Sequence, residues 1–170
     1  MKRINAEAAT LALCIAVLPP IWAVLAPHFH ITTGAVALIC AGMYVASGNR
    51  RQNAVPLSIG FLLGDTWACI ALAFMKRMSW NEDLELFVTL FALGGLAVLL
   101  SALAPQWISC PSWLCGWAIG LTVMSPVGWE NVGTLPIEIG VSMLAGVWYV
   151  GAFLALIQQK ILKLGGKIKS

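Results

Sequence analysis

The stretch LFVTLFALGGLAVLLSALAPQWISCPSWLCGWAIGLTVMSPVGW, from Leu86 to Trp129, contains no charged residue. A helix crossing a bilayer needs roughly 20 apolar residues, so this run is too long for one crossing. Pro105 and Gln106 fall in its middle, where the proline ring and its missing N–H stop a helix. The stretch therefore reads as two spans, 86–104 and 107–128, joined by a tight turn.

Four more uncharged or nearly uncharged runs flank it, at 8–26, 31–48, 54–75 and 132–157, the second being the shortest. Over the 170 residues, 60% are hydrophobic and 10% charged, and the mean hydropathy is +0.88. Soluble domains carry charge on about a quarter of their residues. The charges here stand in short clusters between the runs, so the sequence predicts an all-α membrane protein of six transmembrane helices. It forms a single membrane domain over 1–170, with a basic tail over 158–170. The first span follows Lys2 and Arg3 as a signal peptide would, and is read as retained.

Basic residues are held on the cytoplasmic side. With the N-terminus inside, that side carries Lys2, Arg3, Arg50, Arg51, Lys160, Lys163, Lys167 and Lys169, while the other carries Lys76 and Arg77 beside Glu82, Asp83 and Glu85. Both termini are predicted to be cytoplasmic. The net charge of +3 suits contact with anionic lipid better than nucleic-acid binding. The lipid bilayer is the first expected partner.

The sequence also repeats itself. LAPHFHI at Leu25 resembles LAPQWIS at Leu103, each closing one span and leading into the next. Downstream, Gly42 aligns with Gly120, Ser47 with Ser125, Asn53 with Asn131, Pro56 with Pro136, Gly60 with Gly140 and Trp67 with Trp148. Spans one to three, about 8–75, thus match spans four to six, about 86–157. A unit with three crossings is odd, so the second copy enters the membrane from the opposite face and the repeats are inverted. Such repeats commonly build a pathway that reaches both faces; the alternative is a duplication kept for packing alone.

Helices in lipid associate through small residues. Gly60 and Gly64 form one GxxxG pattern, Gly116 and Gly120 another, and helix packing is their expected use. Among residues that could line a pathway, Asp65 stands out, because an ionised carboxylate in hydrocarbon is costly and must face protein or water. It lies near the predicted midplane, on one helical face with Ser58 and Cys69. Three roles remain open for it: a cation or proton site, an acceptor for a neutral amide or alcohol, or a buried partner for a Trp N–H or Thr hydroxyl. Glu138, near the outer end of span six, guards an entrance or snorkels to water. Thr122 and Ser125 add hydroxyls to span five, and Trp67 and Trp148 lie deep enough to pack or to narrow a pore. His28 and His30 sit in an outer turn, as pH sensors or as ordinary interfacial residues.

Five cysteines, Cys14, Cys40, Cys69, Cys110 and Cys115, fall within or at the edge of spans, where Cys acts as a small hydrophobe. The Cys110–Cys115 spacing does not suit zinc, and no metal or cofactor is expected. No HExxH, phosphate-cradling glycine loop or Ser-His-Asp arrangement occurs, so the chain is not expected to be an enzyme.

The IWA around Trp22, a span ending in a small polar turn near Ser47, the GDTW around Asp65 and the segment from Ser112 to Phe153 together resemble the YcdZ-type bacterial inner-membrane family. That family is defined by domain of unknown function 1097. The resemblance covers nearly the whole chain and implies a bacterial inner-membrane location; it transfers no functional residue.

These readings converge on a channel or facilitator for a small, uncharged solute of the urea, amide, short-alcohol or weak-acid class, acting as a homo-oligomer. The alternatives are a proton-coupled secondary transporter using Asp65 and a structural membrane protein that transports nothing.

Overall fold

The computed structural model describes residues 6–78 and 80–168, with side chains from Ala9 to Lys163. Lys2, Arg3 and Lys169 of the predicted cytoplasmic cluster lie outside the described residues. Every regular element among the described residues is helical: α1 (Ala6–Leu25), α2 (Val36–Ala46), α3 (Ala54–Arg77), α4 (Glu82–Leu103), α5 (Cys110–Met124), α6 (Leu135–Ala145) and α7 (Leu154–Ile168). A π-helix, Gly146–Phe153, joins α6 to α7 into one long rod.

Four rods are long and apolar enough to cross a membrane: Ala9–Phe29, Arg51–Arg77, Glu82–Leu103 and Leu135–Lys163. The other two are shorter than the uncharged runs that encode them. Only 11 residues of the 31–48 run form α2, and 15 residues of the 107–128 run form α5. Local backbone chemistry trims them. His30 takes the left-handed conformation after a 3-10 turn through Pro27, and residues 32–35 form turns before α2 begins. Ser109 caps α5 by accepting from the Ser112 N–H, and Pro111 sits in the first turn, where its missing donor costs nothing. Apolar residues in turns raise hydropathy without adding to a helix.

α3 runs through the middle of the bundle and buries Gly60, Phe61, Gly64, Asp65 and Ala68 among others. Its principal neighbour is α5, while the π segment packs chiefly on α2. Both seams depend on missing side chains. A Cβ on Gly64 would stand 2.3 Å from the Trp113 carbonyl oxygen, and one on Gly116 would stand 2.6 Å from that of Phe61. On the second seam, a Cβ on Gly146 would meet the Ala37 carbonyl oxygen at 2.3 Å. Backbones approach this closely only at glycine, the way helices gain van der Waals contact in lipid. α1 and α4 are the peripheral helices; Val24, Phe87, Phe91, Leu99 and Leu103 among their residues are exposed, as expected of surfaces solvated by acyl chains.

The two ends of the bundle are closed differently. At one end the Thr32 N–H and hydroxyl donate to Glu138 Oε2 at 2.9 and 2.7 Å, and the Thr134 hydroxyl donates to Oε1 at 2.9 Å. Thr33 and Ser142 share a hydrogen bond of 3.2 Å, and Lys76 pairs with Glu130. At the opposite end the Ser109 N–H donates to the Pro56 carbonyl at 3.2 Å and Asn53 Nδ2 to the Ser47 carbonyl at 2.7 Å. A recess remains open there.

Candidate functional site: a polar recess and a buried carboxyl

The recess has a volume of about 700 Å³, within the range of small-molecule sites. Four segments converge on it: Ser47 to Asn53, the start of α3, the end of α4 and the turn leading into α5. Gln52, Asn53, Gln106 and Ser109 bring polar groups, while Leu57, Val98, Ala102 and Pro105 supply apolar walls; no Lys, Arg, Asp or Glu lines it. Asn53 and Ser109 are held by the bonds given above, so their positions are fixed by the backbone. Gln52 and Gln106 are exposed and offer both amide donors and acceptors. Cys110 also lines the recess, and all five cysteines are free thiols.

Asp65 stands midway along α3 with 7% of its surface exposed. Its Oδ1 is sealed off and has no hydrogen-bond partner among the described residues; it lies on the α5 side, where a Cβ added to Gly120 would stand 3.4 Å from it. Asp65 also lines a separate groove with Leu62, Thr66, Gly140 and Val141.

The other predicted pathway residues are dispersed. Ser58 donates to the Ala54 carbonyl at 2.8 Å and accepts the Trp148 indole N–H at 3.0 Å, so these two form a strut between α3 and the π segment. Trp67 donates to the Leu93 carbonyl at 3.0 Å and meets Trp113 edge-on, with ring centroids 5.1 Å apart; it fastens α4 to the bundle. Cys69 is half-buried one turn beyond Asp65. Glu138 is engaged by Thr32 and Thr134, which makes it a tie at the closed end. Thr122 is exposed and bonds back to the Ala118 carbonyl at 2.7 Å, and Ser125 is exposed in the turn after α5; neither lines the recess or the Asp65 groove. His28 and His30 are exposed. Among the described residues no group of three or more His, Cys, Asp or Glu could hold a metal ion.

Sequence reading missed the recess because its walls come from four separate segments. The available signal was the pair of amides, Gln52 and Gln106, each in a turn next to a proline-containing helix end.

The Ser58–Trp148 strut is testable by itself. Trp148→Phe and Ser58→Ala are each expected to lower stability by about 0.6–1.7 kcal/mol, the range for interhelical hydrogen bonds in lipid. The double variant should lose little more than either one. Thermal unfolding in detergent micelles measures this, and fully additive losses would refute the bond.

A family model described as a protein of unknown function, DUF1097, matches residues 12–159. No curated protein and no solved structure matches the chain.

Proposed function

The chain belongs to the DUF1097 family, and from that premise we propose that it is a membrane facilitator for a small, uncharged, hydrogen-bonding solute. The observation that carries this reading is the recess: polar, free of ionisable Lys, Arg, Asp and Glu, and open at one end of a bundle whose other end is tied. A cation entering it would shed hydration against walls that carry no opposite charge, which is unfavourable. An amide, urea or short alcohol would exchange water for the amides of Gln52 and Gln106.

The helix lengths support an inverted repeat of six membrane elements. Long, short and long elements follow in that order twice, through α1, α2 and α3 and then α4, α5 and the α6 to α7 rod. Both LAP motifs end a first helix, at Leu25 and Leu103. The segment after Leu25 is tied to the start of α6, and the segment after Leu103 to the start of α3, so the motifs belong to opposite ends. Each short helix packs on the third element of the other half. Paired short segments at matching places in two halves are the arrangement by which many transporters build a site reachable from both faces. Arg50 and Arg51 stand at the recess end, which is therefore the cytoplasmic face of a bacterial inner membrane in this proposal.

Proteoliposomes shrunk osmotically with urea, acetamide, glycerol or acetic acid test the reading by stopped-flow light scattering. At least one solute is expected to equilibrate several-fold faster than through protein-free vesicles; equal rates for the whole panel would reject it. A second reading, proton-coupled transport, is favoured by the partnerless Oδ1 of Asp65. It requires that Asp65→Asn abolish pH-driven uptake, and unchanged coupling would exclude it.

A further inference from the structure

The groove beside Asp65 is distinct from the recess and does not depend on solute passage. It holds about 340 Å³ between α3 and α6 and is lined by Leu62, Thr66, Pro136, Ile137, Val141 and Leu144 together with Asp65 and Gly140. Its flanks face outward: Leu62, Val141 and Ile137 are 38%, 40% and 70% exposed. Halfway along a helix of 24 residues, outward means toward acyl chains. The one ionisable group in the lining is the Asp65 carboxyl, more than nine-tenths buried; its Oδ2 lies on the Gly140 side, and its Oδ1, on the α5 side, is unpartnered among the described residues. Gly140 leaves the space in front of it open, since even a Cβ there would stand 3.9 Å from Oδ2.

We infer that this groove is a binding site, entered sideways from the bilayer, for a compact lipophilic amine whose ammonium meets Asp65 and whose apolar body lies along Leu62, Ile137 and Val141. Each part of the lining selects for that chemistry. When ionised, a carboxyl in hydrocarbon needs a counter-charge, and no Lys, Arg or His lines the groove. A metal ion would demand several more oxygen ligands, and no cluster of three acidic, His or Cys side chains exists among the described residues. A neutral apolar molecule would fill the walls but leave the carboxyl without a partner. The Thr66 hydroxyl donates to the Leu62 carbonyl at 2.9 Å, which leaves its lone pairs free to accept a second ammonium proton.

The test uses the full chain in lipid nanodiscs. Dicyclohexylcarbodiimide, a lipid-soluble carboxyl reagent, is expected to modify Asp65, read by peptide mass spectrometry, with no modification in Asp65→Asn. 1-Aminoadamantane should slow that modification at least tenfold, and the shape-matched 1-adamantanol should not. Gly140→Ala adds a Cβ that makes ordinary contact, 3.4 Å from Leu62, so the fold is kept while the groove narrows; protection by the amine should fall several-fold. Absence of modification at Asp65 overturns the site, and so does equal protection by amine and alcohol. Neither result bears on vesicle swelling, so failure here is separable from failure of the facilitator reading.

Discussion

Gly64→Ala is expected to be among the most damaging single-methyl changes at the described glycines, lowering stability by about 3 kcal/mol, the upper end of over-packing costs. The added Cβ would lie 2.3 Å from the Trp113 carbonyl oxygen, 2.5 Å from the Trp117 nitrogen and 2.8 Å from the Gly116 carbonyl carbon. All three are backbone atoms, so no side chain can rotate away and the clash is relieved only by parting α3 from α5. That seam is the largest helix contact in the bundle, and parting it also uncovers Asp65 and Phe61. Gly116→Ala meets Phe61 backbone at 2.6 Å and should behave alike. Gly95→Ala is the control, since nothing lies within 4 Å of the new atom; helix propensity alone makes that change neutral or mildly stabilising. Thermal unfolding followed by size-exclusion chromatography in detergent separates the cases, and equal melting of Gly64→Ala and Gly95→Ala would refute the seam.

That seam also shows which part of the fold was legible. The GxxxG patterns at Gly60 and Gly116 pointed to helix contacts from spacing alone, because one face of a helix repeats every three to four residues. That these two patterns pack on each other was not legible, since spacing says that a face is flat and not what meets it. Hydropathy placed the helix in all six runs but overstated two. In residues 31–35 and 107–109 the turn is made of apolar or small residues, and what ends the helix is the left-handed His30 and the Ser109 cap. The turn at Pro105 was legible because proline carries its own geometric prohibition.

The site divides along the same line. Asp65 was recognisable because a carboxyl within an apolar run has one physical meaning: it must find a partner or water. Its actual surroundings, Gly120 on one side and the Gly140 groove on the other, come from long-range packing. Ser58 and Trp148 carried no such signal. A serine and an indole inside spans satisfy themselves locally or across helices with equal ease, and only the 3.0 Å bond between α3 and the π segment reveals the choice. Glu138 was read as an entrance or a snorkelling group; of its three bonds to Thr32 and Thr134, the two to Thr32 come from a segment that its own stretch of sequence does not name.

If the recess is the mouth of the solute path, filling it must stop flux without harming the fold. Ala102 is suited to this: it is exposed on α4, lines the recess and is apolar, so no bond is lost on replacing it. Ala102→Trp puts an indole between Val98 and Pro105, and permeation of the conducted solute is expected to fall several-fold, to the level of protein-free vesicles. Stability should change by no more than about 0.5 kcal/mol, as for other exposed substitutions. Leu99→Trp adds the same ring to the same helix at a position 67% exposed and outside the recess lining, and should leave flux intact. The contrast between the two variants isolates occupancy of the recess from any general effect of a bulky ring on α4. Should Ala102→Trp conduct as the unmodified chain does, the recess would lie off the path, and the two amides at Gln52 and Gln106 would lose their claim to select the solute.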